Sequence, residues 1–319
     1  MTMTSRRCVL LVALAVAALS GCGGGGGGDD VAGPPPTPAS PTTSLFVADL
    51  SNGGHIGILS TLAPPAGSAL VARSIGPIPR LSGKIAFDVG RDELYVGSDD
   101  SVLVFAGASK AAGSPAPARS IRASGFDVRF NAGVVLDRVR DRLYWAVSEG
   151  TGGLLLVFER ASSSNGTVVP DRVISVSAIR EFAIDQGRSI LYVSDSGVQA
   201  FLNFDGLSGP VFPTRNVSTT VADGLAIDTT RDVLYLGDFS GVSVIQSAST
   251  ATNVTPPGRL AVPFVRTVAV DSANDRLYVG ASEIAFHLSP ASQLVSGPAS
   301  VPAAAVRSTS SAFAGFAFP

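Results

Sequence analysis

Arg180, Asp223 and Arg266 are the residues of this chain best placed for chemistry at a surface, because each stands two positions before a copy of one short apolar segment. The segments are Phe182-Ala183-Ile184-Asp185, Leu225-Ala226-Ile227-Asp228 and Val268-Ala269-Val270-Asp271, and equal offsets put the three charges in corresponding places of consecutive units. Two guanidinium groups flanking a carboxylate offer paired donors to a planar anion such as a carboxylate or phosphate. The alternative is that the three neutralise one another as loop salt bridges and bind nothing. Asp195, Asp238 and Glu283 follow the next strand of the same units and give the rim an acidic side.

Other chemistry is poorly supplied. The two histidines, His55 and His287, sit in unlike contexts, and the two cysteines, Cys8 and Cys22, both lie near the N-terminus. His/Cys zinc sites and Cys/His dyads are therefore not expected. No Gly-x-Ser-x-Gly turn occurs, and the Gly23 to Gly28 run has no Lys-Ser/Thr after it to make a phosphate loop. A formal charge of −2 without a basic stripe argues against nucleic acid. Neither a metal nor a cofactor is expected.

The elements that must carry these residues come from a repeat. Its first strand is Ile85-Ala86-Phe87-Asp88, followed by Val134 to Asp137, Phe182 to Asp185, Leu225 to Asp228, Val268 to Asp271 and Phe316 to Pro319. The aspartates at 88, 137, 185, 228 and 271 recur at intervals of 49, 48, 43 and 43, the period of a β-propeller blade. A second strand reads Leu45-Phe46-Val47, Leu94-Tyr95-Val96, Leu143-Tyr144-Trp145, Leu191-Tyr192-Val193, Leu234-Tyr235-Leu236 and Leu277-Tyr278-Val279. Apolar on both faces, it reads as a strand covered on both sides. A third strand alternates, and a fourth, outermost, opens on arginine: Arg73, Arg119, Arg172, Arg215, Arg259 and Arg307. These arginines read as edge charges that discourage pairing between molecules. The aspartates after the first strand read as turn residues, their side-chain oxygens accepting from backbone N–H groups.

The link from third to fourth strand carries the most specific signal. Val104-Phe105-Ala106-Gly107-Ala108-Ser109 leads to Pro117-Ala118-Arg119-Ser120-Ile121, and Val157 to Ser162, Asn165-Gly166 and Pro170 to Ile174 fill the same places. With the two strand motifs, residues 45–319 resemble the NHL/YVTN group of bacterial surface propellers. The resemblance implies a fold, not one activity. Asp223-Gly224-Leu225-Ala226-Ile227-Asp228 is also similar to a segment of gluconolactonase-like six-bladed propellers, in which the first aspartate ligates a divalent metal. That likeness would imply a metal-dependent hydrolase or lactonase. The chain departs from it where Arg180 and Ala314 stand at positions that family needs for further ligands.

The expected fold is all-β: six four-stranded blades at about 45–75 plus 316–319, 85–121, 134–174, 182–217, 225–261 and 268–307, with the C-terminal strand completing the N-terminal blade. Ahead of it, Arg6 and Arg7 precede an apolar run from Val9 to Leu19, then Leu19-Ser20-Gly21-Cys22. This is a secretion signal too short to span a bilayer, and its last four residues resemble the lipobox of bacterial lipoproteins. Residues 1–21 would be removed and Cys22 lipidated, with 22–44, rich in Gly and Pro, forming a tether. In similar lipoproteins a glycine after the cysteine is compatible with the outer membrane. Apolar residues at 45%, charged residues at 15%, 35 glycines and 21 prolines fit β-structure with tight turns. The expectation is a monomeric, membrane-tethered binding or scaffold module of the cell envelope, meeting a protein, peptide or glycan on its loop face.

Overall fold

The computed structural model describes residues 44–50, 53–59, 73–128, 130–149, 152–256, 259–262, 264–281, 284–288, 291, 305–307 and 313–319. The signal, Cys22, the tether up to residue 43 and Glu283 lie outside them. The strands in chain order are β1 (Leu45–Asp49), β2 (His55–Leu59), β3 (Arg73–Ile75), β4 (Leu81–Asp88), β5 (Glu93–Ser98), β6 (Ser101–Ala106) and β7 (Arg119–Ala123). Next come β8 (Phe130–Asp137), β9 (Arg142–Glu149), β10 (Gly152–Phe158), β11 (Gly166–Val168), β12 (Arg172–Val176), β13 (Glu181–Asp185), β14 (Ile190–Ser194), β15 (Val198–Leu202) and β16 (Gly209–Pro210). The rest are β17 (Arg215–Ser218), β18 (Gly224–Asp228), β19 (Val233–Asp238), β20 (Gly241–Gln246), β21 (Arg259–Leu260), β22 (Thr267–Asp271), β23 (Arg276–Gly280), β24 (Ile284–Leu288), β25 (Ala305–Arg307) and β26 (Phe313–Ala317).

Four sheets have four strands each: β26-β1-β2-β3, β13-β14-β15-β17, β18-β19-β20-β21 and β22-β23-β24-β25. The fifth has ten, in the order β11-β7-β6-β5-β4-β8-β9-β10-β12-β16. It is two four-stranded meanders joined where β4 meets β8 in parallel at Lys84 and Gly133, with β11 and β16 added at the two outer edges. Gly133 permits that approach, since a Cβ there would lie 2.0 Å from the Lys84 nitrogen. The last strand of the chain pairs antiparallel with the first, Val47 opposite Phe316 and Phe46 opposite Ala317.

The core is a series of layers between successive sheets, which is why the Leu-Tyr-Val strands are apolar on both faces. In β5, Leu94 and Val96 pack with Phe46 and Ile56, while Tyr95 faces Val134 and Trp145. Tyr144 packs on Phe182, Tyr192 on Leu225, and Tyr235 on Val268 and Val279. Tyr278 of β23 packs with Leu45, Val47 and Phe316 of the sheet that holds β1. Trp145, in a slot otherwise held by valine or leucine, is fully buried against Phe158.

The turn after each first strand is held as the sequence predicts. Asp88 Oδ1 accepts from the N–H groups of Gly90 and Arg91, and Asp137, Asp185, Asp228 and Asp271 make equivalent bonds. The second aspartate of the turn works across the sheet: Asp92, Asp141 and Asp232 each accept both the N–H and the hydroxyl of a serine, Ser109, Ser162 and Ser249.

Three of the fourth-strand arginines, Arg119, Arg172 and Arg215, overturn the reading as exposed edge charges, whereas Arg259 stays exposed on its strand and pairs with Asp238 of its own sheet. Arg119 donates to the carbonyls of Ala161 and Ser164, Arg172 to those of Phe204 and Leu207, and Arg215 to those of Ala248 and Ser249. Each bonds the third-to-fourth-strand link of the following meander. That same link covers the outer edge directly, β11 pairing with β7, β16 with β12, and Asn253 and Val254 donating to Asn216 and Val217. Edge protection is thus done by backbone, and the guanidinium groups fasten neighbouring sheets. Arg119 also bonds Glu93 at 2.6 Å with both side chains largely buried, so Arg119→Ala is expected to cost about 3 kcal/mol in urea unfolding. Lysine there is expected to recover little, lacking the planar fork that reaches two carbonyls and a carboxylate together. A loss below about 1 kcal/mol would refute this role.

Candidate functional site

Arg180, Asp223 and Arg266 occupy one backbone slot in three successive sheets. Each donates its N–H to the end of the neighbouring strand: Arg180 to Ser194, Asp223 to Gly237 and Arg266 to Gly280. The equal offsets in the sequence are therefore equal places in space. Their side chains take different partners. Arg180, 55% exposed, holds Asp223 at 3.1 Å. The Arg266 guanidinium lies over the Phe239 ring, 5.7 Å from its centroid, a cation–π contact. Asp238 turns outward to Arg259 at 2.9 Å and caps the turn at Ser240 and Gly241. Asp195 sits half-buried in the loop after β14, its backbone N–H on the Gly197 carbonyl.

One residue further along lies a polar group that the offset-two reading passes over. The position immediately before each apolar segment holds Lys84, Gly133, Glu181, Gly224, Thr267 and Gly315 in turn, side chains alternating with glycine. The glycines are required by crowding: a Cβ on Gly224 would come within 2.9 Å of Thr267 and one on Gly315 within 2.9 Å of Gly83. Between them Lys84 extends its Nζ to the Leu225 carbonyl and stands 3.5 Å from Glu181. Glu181 is buried, and its Oε1 also accepts from the Phe182 N–H at 2.9 Å. Burial pushes its carboxyl up to about 7, against the opposing pull of Lys84 and the Phe182 N–H; nearby Asp223 pushes the same way as burial.

Lys84 and Thr267 stand at the edge of a cavity of about 410 Å³. Its walls come from β4, β8, β13, β18, β22 and β26, including Phe87, Leu136, Phe182, Leu225, Val268 and Phe316. These strands touch in order, β4 on β8, β8 on β13, β13 on β18, β18 on β22, β22 on β26 and β26 on β4.

Beside Arg266 the loops expose two aromatic rings. Phe239 and Phe264 are 56% and 50% exposed and meet edge to face with centroids 5.7 Å apart. Their loops are tied by backbone bonds, Phe264 N–H to Phe239 carbonyl and Val265 N–H to Asp238 carbonyl. Phe264 is held at φ 58°, a left-handed conformation that costs a residue with a Cβ about 1–3 kcal/mol. Solitary loop aromatics do not recur in the repeat, so periodicity gives no sign of them; the sequence signal is an aromatic among turn residues, Asp238-Phe239-Ser240-Gly241 and Pro263-Phe264.

Asp223, which opens the segment read in the sequence as similar to gluconolactonase-like propellers, is bonded to Arg180. Among the described residues no three His, Cys, Asp or Glu converge as a metal site, and no helix is long and apolar enough to cross a membrane.

No family model matches the chain, and no curated protein matches it. Among solved structures it is similar to a chain in the crystal structure of a nidogen/laminin complex, a YWTD β-propeller, with TM-score 0.54 and 13% identity over 86% of this chain and 97% of that chain. At this identity the likeness is one of fold: the chain is a β-propeller.

Proposed function

We propose that the chain is a lipid-anchored, six-bladed β-propeller that acts as a binding or scaffold module in the bacterial cell envelope. The ring of six blades is supported by a cavity walled by six first strands, by the contact of β26 with both β1 and β4, and by the packing of Tyr278 on Phe316. Anchoring at Cys22, with the outer membrane as address, is supported by Leu19-Ser20-Gly21-Cys22, by Gly23 after it and by the Gly- and Pro-rich stretch that follows. A monomer fits a fold in which the outer edges of β7, β12 and β17 are covered from within the chain.

A binding role rests on one observation above the rest: two half-exposed phenylalanines, one held in a strained backbone conformation, beside an arginine on the loop face. Exposed aromatic and arginine side chains at fixed positions are the residue types that dominate binding energy at protein surfaces. The likeness to a propeller found in a nidogen/laminin complex is compatible with that role. To test it, cells carrying the wild type or a Phe239→Ala, Arg180→Ala variant are cross-linked, and the envelope material bound to each is recovered. A partner recovered with the wild type and lost with the equally abundant variant is expected. Identical recovery with both would refute the loop face as the binding surface. In the same cells Cys22→Ala is expected to move the chain from the membrane fraction to the soluble fraction, and retention in the membrane would refute the anchor.

A further inference from the structure

We propose that the ledge formed by Phe239, Phe264 and Arg266 docks an acidic peptide segment of a partner protein, an apolar side chain resting on the two rings and a neighbouring carboxylate taking the guanidinium. This rests on the reading that partners meet the loop face and names what the face selects. The first ground is charge. Among the described residues no carboxylate pairs with Arg266, while Asp223 is occupied by Arg180 and Asp238 by Arg259. Arg266, oriented by the Phe239 ring, thus has donors that no described carboxylate takes, and it complements a carboxylate.

The second ground is shape. The two rings stand at 84° to each other, an edge-to-face corner and not a flat shelf. A sugar ring stacks on a flat aromatic face and needs polar side chains beside it for its hydroxyls. Among the described residues the carboxylates of these loops, Asp223 and Asp238, are already bonded, so the corner suits an aliphatic or aromatic side chain of a peptide. The third ground is rigidity. The two backbone bonds joining the Phe239 and Phe264 loops, at 3.0 and 3.1 Å, fix the corner before any partner arrives, which lowers the ordering cost of binding.

The test selects a phage library of random dodecapeptides on the intact purified chain, then measures synthetic copies of the enriched sequences by fluorescence anisotropy. Enriched peptides are expected to carry Asp or Glu within two positions of Phe, Leu, Ile or Trp. Arg266→Ala and Phe264→Ala are each expected to weaken their binding at least tenfold with no change in the melting curve, and binding should weaken as salt rises. Peptides that keep their affinity for both variants but lose it with Arg180→Ala would overturn the ledge and leave the loop face standing. Peptides indifferent to all three substitutions would overturn both readings. Enrichment of basic or purely apolar sequences, or failure to enrich any peptide, would overturn the acidic-peptide assignment.

Discussion

A chain ending before Phe313 is expected to lose its cooperative unfolding transition, or to show it some tens of degrees below that of the intact protein. β26 is the edge partner of β1, pairing from Asp49 opposite Phe313 to Phe46 opposite Ala317. Without it, β1 would present an unpaired strand edge. Tyr278 would lose Phe316 and Phe318, whose rings lie 5.7 and 5.1 Å away. Phe316 is 6% exposed, and truncating such a side chain to alanine alone costs about 3–5 kcal/mol. Removing the whole strand adds the lost backbone pairs and exposes the flanks of β4 and β22, so the sum approaches the total stability of a domain, about 5–15 kcal/mol. Differential scanning calorimetry of the truncated chain and of Phe316→Ala checks this. The substitution is expected to lower the transition while keeping it cooperative; an unchanged curve for the truncated chain would sink the six-bladed ring.

The parts of this architecture legible in the sequence are those imposed by local physics repeated many times. Leu94-Tyr95-Val96 and its copies announce burial on both faces because a strand between two sheets has no solvent side. Asp88 and its copies announce the turn because the carboxylate serves backbone groups only two and three residues away. Equal offsets likewise foretold that Arg180, Asp223 and Arg266 share a slot, since the slot is set by the register of each first strand on the second. What those side chains do there was not legible. Arg180 reaches Asp223 one sheet away, whereas Arg266 finds a phenylalanine, and the difference depends on a loop that does not repeat.

Arg119, Arg172 and Arg215 make the same point from the other edge. An arginine opening an outer strand has the composition of an edge charge, and nothing along the chain says whether it points to solvent or sideways into the next sheet. The carbonyls that decide the matter are more than thirty residues downstream, on a link whose course depends on the packing of whole sheets. Glu181 was hidden differently. The alternation Lys84, Gly133, Glu181, Gly224, Thr267, Gly315 is present in the sequence, but it gains meaning only once the six first strands share one cavity.

Burial beside Lys84 gives Glu181 a pH dependence that the stability of the fold reports. Its pKa stands at about 7 in the folded chain against an ordinary value of 4.5. The folded state thus holds a proton that the unfolded chain releases, and the associated stability is fully present below about pH 4.5 and is lost as pH rises through about 7. A shift of this size is worth on the order of 3 kcal/mol. The melting temperature of the wild type is therefore expected to fall between pH 5 and pH 8, with Glu181→Gln removing most of that slope. Lys84→Met separates the two partners: above pH 7 it leaves a buried carboxylate without its cation, a loss of about 3–5 kcal/mol, and near pH 5, where Glu181 carries its proton, the loss shrinks. Urea unfolding of the three proteins at both pH values measures this. Equal costs for Lys84→Met at pH 5 and pH 8 would mean that Glu181 does not titrate in this range, and that the lysine matters only for its bond to the Leu225 carbonyl.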